Sequence, residues 1–247
     1  MKAYCHTWAG LMRALRRELA LVWREPWSAG EDGDLVAFDF ALEELQADGI
    51  RLLLCLDEIE NLIQRAGEFN EVLEDWRASG SMGQLAMVTA SAQPLADLCE
   101  SGGLTSPFYN IFSQQWLNLL TADEWQALVK ENMEIDAAGL DFVDQIAGGH
   151  PFFTQIAASH LWEAQARGQP DFTQLQQNLW FECLPHLQYL WRKLNSDEQA
   201  ILRQLIKTGA DGFDPMRIAA LERRGIVRQG RPFSRLFAEM IVGGHLA

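Results

Sequence analysis

Residues 52–56 read Leu-Leu-Leu-Cys-Leu and are closed by Asp57 and Glu58. Five consecutive apolar residues ending on two acids predict a strand buried on both faces, in a parallel sheet covered by helices. Upstream, helical spacing of apolar residues predicts an amphipathic helix over 8–23. Its stripe is Trp8, Leu11, Met12, Leu15, Leu19, Val22 and Trp23, with Arg13, Arg16 and Arg17 off it. Residues 26–34 read as an acidic, turn-rich connection and 35–47 as a second short helix, released by Gly49. After Glu58, Ile59, Leu62 and Ile63 begin a helix that continues over 69–77 with Val72, Leu73 and Trp76 inward. Residues 80–83 read as a loop. Residues 85–91 read as a second parallel strand, with Thr89 and Ser91 near its carboxyl end. Gly102, Gly103 and Pro107 mark a loop before a third strand expected over 110–117.

From Thr121 the pattern turns helical. Thr121 and Glu124 have capping-box spacing. Leu140, Val143 and Ile146 line a helix ended by Gly148 and Gly149. Pro151 suits the first turn of the next helix, which runs to about 167. Residues 171–194 are expected to be helical, broken or kinked near Pro185. The last 54 residues read helix, helix, hairpin, helix. Ser196 and Gln199 cap the first, Asp214 and Pro215 start the second, residues 226–228 and 232–233 pair, and 236–241 close the chain.

A chain of 247 residues with 48% apolar and 22% charged residues can bury a sizeable core. No apolar run reaches the roughly 18 residues of a membrane span, and no secretory signal opens the chain. Cys5, Cys55, Cys99 and Cys183 lack metal-site spacing and read as reduced core thiols of a cytoplasmic protein. The net charge of −14 is uneven: residues 1–193 carry 12 basic and 28 acidic side chains, residues 194–247 carry 8 and 6. An acidic body argues against broad nucleic-acid binding, and the change near 194 argues for a separate C-terminal module.

The order of these segments resembles the AAA-like, STAND-type ATPases of prokaryotes, relatives of the archaeal ATPase group. Residues 53–62, with Asp57, Glu58, Glu60 and Asn61, look like their Walker B strand and the helix after it. Residues 87–95 are similar to their sensor-1 strand and its exit turn. Residues 106–112, from Ser106 through Asn110, resemble the entry to their last core strand. Gly148-Gly149-His150-Pro151 looks like their GxP motif, which opens a helical lid. Residues 223–227 and 233–237 resemble their winged-helix end. The resemblance implies an α/β fold: an incomplete P-loop NTPase-type parallel sheet with flanking helices over 1–120, a helical lid over 121–193 and a winged helix over 194–247. It departs from the family in one respect. None of Lys2, Lys130, Lys193 and Lys207 follows the glycines of G-x-x-x-x-G-K-[ST]. The chain thus looks like the family without its N-terminal quarter, truncated or degenerate. The missing first strand would lie between the second and last strands predicted here.

The resemblance implies ATP and Mg²⁺ as cofactors of an ATP hydrolase family. Asp57 would hold Mg²⁺ through water, Glu58 would act as general base, and Ser91, or else Thr89, would touch the γ-phosphate or its water. Pro151 would pack on adenine, Gly149 would permit close approach, and His150 would act by position. Without the principal phosphate cradle, this chain alone is not expected to hydrolyse ATP. Each assignment has a plain alternative: Asp57 as a helix N-cap, Ser91 bonded to a nearby carbonyl, and Gly149 and Pro151 as helix punctuation. The implied partners are a nucleotide and a protein partner or a second copy. DNA is a further partner if Arg223, Arg224 and Arg231, with Arg217, Arg228 and Arg235, meet phosphates. Two other functions stand beside the switch: a non-catalytic interaction scaffold and a winged-helix DNA-binding regulator.

Overall fold

The computed structural model describes residues 7–22, 35–104, 107–168, 170–210 and 212–246. Cys5, Trp23, Ser106 and the acidic connection expected over 26–34 lie outside them. The chain forms two compact units, Met1–Gln114 and Gln115–Ala247. The fold is mostly helical with a small two-stranded parallel sheet. No helix among the described residues is long and apolar enough to cross a membrane.

In the first unit α1 (Trp8–Val22) and α2 (Leu35–Ala47) precede β1 (Leu52–Leu56), α3 (Glu60–Ile63), α4 (Ala66–Ser81), β2 (Leu85–Thr89) and α5 (Leu95–Ser101). Their apolar stripes meet in one core. Trp8, Phe38 and Trp76 pack edge to face or tilted, with ring centroids 5.9–6.5 Å apart, and join α1, α2 and α4. β1 and β2 pair in parallel in the register Leu52↔Leu85 to Leu56↔Thr89.

Four expectations for this unit are corrected. First, β1 is not buried on both faces. Leu54 is buried, but Leu53 is 55% exposed, and Val88 opposite Cys55 is 58% exposed. The alternate residues of a strand point to opposite faces, and only the face of Leu54 and Leu85 joins the core. Cys55 is accordingly exposed rather than a core thiol, while Cys99 and Cys183 are buried. Second, no third strand forms over 110–117. Phe108–Ile111 is a 3-10 turn anchored by fully buried Phe108 against Phe112, ring centroids 5.1 Å apart. A strand needs a neighbour for its N–H and C=O groups, and among the described residues the sheet contains β1 and β2 alone. Third, the helix expected to run on from Ile59 is two helices, interrupted at Arg65. Fourth, Asp57 is not an N-cap. The α3 cap position is Ile59 and has no side-chain cap bond.

The second unit contains α6 (Ala122–Asn132), α7 (Ala137–Ala147), α8 (Pro151–Arg167), α9 (Phe172–Arg192), α10 (Ser196–Thr208), α11 (Pro215–Arg223), the hairpin β3 (Val227–Arg228) and β4 (Arg231–Pro232), and α12 (Arg235–Val242). The Thr121–Glu124 capping box forms as the spacing predicts. The α10 box sits one residue earlier than expected, on Asn195 and Glu198. α9 is continuous through Pro185. Cys183, Leu187 and Trp191, on either side of the proline, are buried in the core and hold the helix together. The hairpin turns in two residues, Gln229 and Gly230, both at positive φ. That is the twist a tight antiparallel turn requires.

One half-buried pair of acids has a measurable consequence. Asp39 of α2 and Asp75 of α4 share a side-chain hydrogen bond, and both carboxyls titrate above the usual range. Burial pushes Asp75 up to about 6, with the Asp39 charge adding to it. A raised carboxyl pKa means that the fold prefers the protonated form. The contribution is therefore complete below the unfolded value of 3.8 and is lost as pH rises through about 6. Asp75→Asn should raise stability at pH 8, by about 1 kcal/mol after allowance for partial exposure. It should also flatten the stability change between pH 4 and 8 in thermal melts. An unchanged pH dependence would count against the shared proton.

Candidate functional site

β1 and β2 run side by side to one edge of the sheet, and the ladder continues past their ends. Ala90 N–H donates to the Leu56 carbonyl (2.9 Å) and Ile59 N–H to the Ala90 carbonyl (3.1 Å). These bonds place Asp57 and Glu58 beside the segment that leads to Ser91. Asp57 and Glu58 are exposed at the carboxyl end of β1, the edge at which open α/β sheets bind ligands. Asp57 Oδ1 accepts from the Glu58 amide at 3.0 Å. Glu58 adopts φ +53°, a left-handed conformation unusual for a residue with a Cβ. Its Oε2 accepts from Asn61 Nδ2 at 3.2 Å. Ser91 Oγ donates to the Gln93 carbonyl at 2.7 Å, so its hydrogen is used and its lone pairs remain as acceptors.

Glu60 was given no role by its spacing, yet it ties the two strand exits together. Its Oε1 accepts from Ala92 N–H at 3.2 Å, 32 residues away, and its Oε2 is buried without a partner. An acid in the first turn of a helix that follows a strand is the only sign of this in the sequence.

Among the described residues no group of three or more His, Cys, Asp or Glu side chains could cage a metal ion. Mg²⁺ does not require one: it is commonly held by one or two carboxylates with phosphate oxygens and waters completing its octahedron. Asp57 fits that demand. The amide cradle and lysine that hold phosphates are not encoded in these 247 residues.

Gly149, His150 and Pro151 lie in the second unit, at the turn from α7 into α8. Gly148 is the left-handed C-cap of α7, at φ +56°, and Gly149 follows at +84°. A Cβ on Gly148 would lie 1.5 Å from the Phe233 carbonyl oxygen, and one on Gly149 2.4 Å from that of Leu120. Leu120 N–H donates to the Gly149 carbonyl at 2.8 Å. His150 packs on Phe153 and Phe233, with centroids 4.8 and 5.4 Å away. Burial holds its pKa below the ordinary value, so the ring favours its neutral form, and its Nδ1 has no partner. Pro151 is the exposed first residue of α8.

Of the six arginines from Arg217 onward, four are paired. Arg224 meets Glu198, Arg228 meets Asp144 at 2.6 Å, Arg235 meets Glu239 at 2.8 Å, and Arg217 reaches Asp197 at 3.6 Å. Among the described residues Arg223 and Arg231 form no ion pair.

The family model for Novel STAND NTPase 2 (nSTAND2) matches residues 8–211. The chain belongs to that family. Comparison with curated proteins and with solved structures gave no match. Membership makes this an NTPase-related module and implies a nucleotide, with Mg²⁺, as its ligand.

Two outcomes follow from the backbone at these sites. Replacing Glu58 by Asn, which tolerates left-handed φ, should stabilise the first unit by about 1 kcal/mol; a melt with no gain would mean that the turn is unstrained. Gly148→Ala should destabilise the second unit by about 3–4 kcal/mol, because its Cβ meets backbone rather than a movable side chain. Denaturant unfolding reads this, and a loss under about 1 kcal/mol would show that the Phe233 segment can withdraw.

Proposed function

We propose that this chain is an ATP- and Mg²⁺-dependent switch module of the AAA-like STAND type that does not hydrolyse ATP alone. Residues 1–120 are then a partial P-loop core, 121–193 a lid and 194–247 a winged helix. The observation that carries the reading is the placing of Asp57 and Glu58 at the carboxyl end of a strand paired in parallel with the strand that leads to Ser91. In this reading β1 and β2 are the Walker B and sensor-1 strands. Asp57 holds Mg²⁺ through water, Glu58 orients the attacking water, and Ser91 offers its lone pairs to a phosphate-bound water. The turn at Gly149, His150 and Pro151 is the GxP element of the lid. The phosphate-holding half is not in this sequence, whether by truncation or by loss, and the open edge of β2 is where the family's first strand would pair. Hydrolysis by this chain alone would leave phosphate charge without its main cradle. The free thiols of Cys99 and Cys183 support a cytoplasmic setting.

The scaffold reading has one observation in its favour, the bare apolar sheet face at Leu53 and Val88. It is compatible with a protein partner or a second copy. The DNA reading is the weaker one, since of Arg223, Arg224 and Arg231 the second is committed to Glu198.

Titration with a fluorescent ATP analogue tests the switch. Mg²⁺ should strengthen binding about tenfold, and Asp57→Asn should abolish that gain. Binding indifferent to both Mg²⁺ and Asp57 would remove the nucleotide role and leave the scaffold. Phosphate release should not exceed that of the Asp57→Asn variant.

A further inference from the structure

Between α6 and α8 of the second unit lies an open pocket of about 420 Å³. That volume is within the range of small-molecule sites. Leu128, Val129 and Met133 line it from one side and Ala158 from the other, with the indole of Trp162 at the mouth, 56% exposed. No charged side chain lines the pocket, although the chain carries a net charge of −14. Its polar groups are all neutral: Thr154, Gln155, Ser159 and Asn132. None of Gly149, His150 and Pro151 takes part.

Thr154 is the telling residue. It is fully buried, yet its Oγ1 has no hydrogen-bond partner. A helical threonine usually spends its hydroxyl on the carbonyl four residues back. Here the His150 carbonyl accepts the Thr154 amide at 2.9 Å and not the hydroxyl. Buried hydroxyls are normally satisfied, and one left without a partner calls for a reason. Asn132 is half committed in the same way: its Nδ2 donates to the Leu128 carbonyl at 2.9 Å, which leaves its Oδ1 open.

We propose that this pocket binds an uncharged, planar heteroaromatic molecule whose ring packs on Trp162 and Met133 and whose one hydrogen-bonding atom meets Thr154 Oγ1. Absence of charge in the lining selects against ions, because a charged group would lose its hydration with nothing to replace it. Indole and thioether surfaces favour a flat aromatic face. The inference does not depend on the nucleotide reading, since the lining residues belong to neither set of nucleotide candidates.

The test is a titration of the full chain with quinoline at pH 7.5, followed by methyl NMR, with quinoline-4-carboxylate as the charged counterpart. Saturable shifts are expected at the methyls of Met133, Val129 and Leu128, with the carboxylate at least about tenfold weaker. Thr154→Val keeps the shape and removes the orphan hydroxyl. It should fold with no loss of thermal stability and bind quinoline about tenfold more weakly. Ala158→Leu, which fills the pocket from its wall, should abolish the shifts while Thr154 stays in place. Quinoline that fails to saturate, or that binds Thr154→Val as tightly as the parent, overturns the proposal. Equal binding of the carboxylate, or shifts centred away from α6 and α8, does the same.

Discussion

Parallel pairing of β1 with β2 is the constraint from which the first unit's chemistry follows. A parallel pair has both carboxyl ends at one edge, so whatever follows each strand must emerge side by side. The ladder does not stop at the strands: Leu56, Ala90 and Ile59 extend it. Ile59 must at once turn back into the core, where it is 1% exposed. Two residues are left to reverse the chain between a fixed Leu56 and a buried Ile59. Of those two, it is Glu58 that takes the left-handed conformation. The exposure of the two carboxylates and the strain at one of them thus have one geometric cause. Such strain persists only where the surroundings over-determine it, and here the continuing ladder does so.

The turn between α7 and α8 shows a different kind of determination. Gly148 and Gly149 are fixed by the carbonyls of Phe233 and Leu120, which occupy the space of any Cβ. Packing alone therefore explains both glycines, with no ligand required. What packing does not explain is the neighbouring ring. His150 is held largely out of water with an unpartnered Nδ1, between two phenylalanines that a third apolar residue would satisfy better. In the GxP comparison the residue that asks for a function is the middle one, and the glycines on which the resemblance rested have a sufficient structural reason.

Much of the local structure was legible in the sequence. The bounds of β1 and α2, the Thr121–Glu124 box and the Asp214–Pro215 start depend on neighbours within a few residues, and all form as expected. What failed depended on neighbours the sequence does not specify. A run such as Leu52–Leu56 has the same letters whether one face or two are covered, so the exposure of Leu53 could not be read from it. Residues 110–117 have strand-like content, but pairing belongs to two segments, and no second one lies beside them. Pro185 signals a break or a kink from local chemistry; the break does not form, because buried Cys183, Leu187 and Trp191 outweigh one lost hydrogen bond. Glu60 and Thr154 share a further obscurity. Their interest lies in a bond made across 32 residues and in a bond not made at all, and neither leaves a spacing to count.

The C-terminal arginines show how far a segment's charge can mislead about its field. Counted alone, the last 54 residues are weakly basic against an acidic remainder, which suggests a surface turned toward phosphates. Arg228, however, is neutralised by Asp144 of α7, outside that segment, while Arg224 lies against Glu198 at the start of α10. Part-buried pairs of this kind are less screened by salt than exposed ones, and breaking one would leave a charge poorly hydrated. These arginines thus face inward to their own unit, joining the hairpin to α7 and α11 to α10. Two of the segment's eight basic side chains, Arg224 and Arg228, are thus spent on holding it to the helices around it.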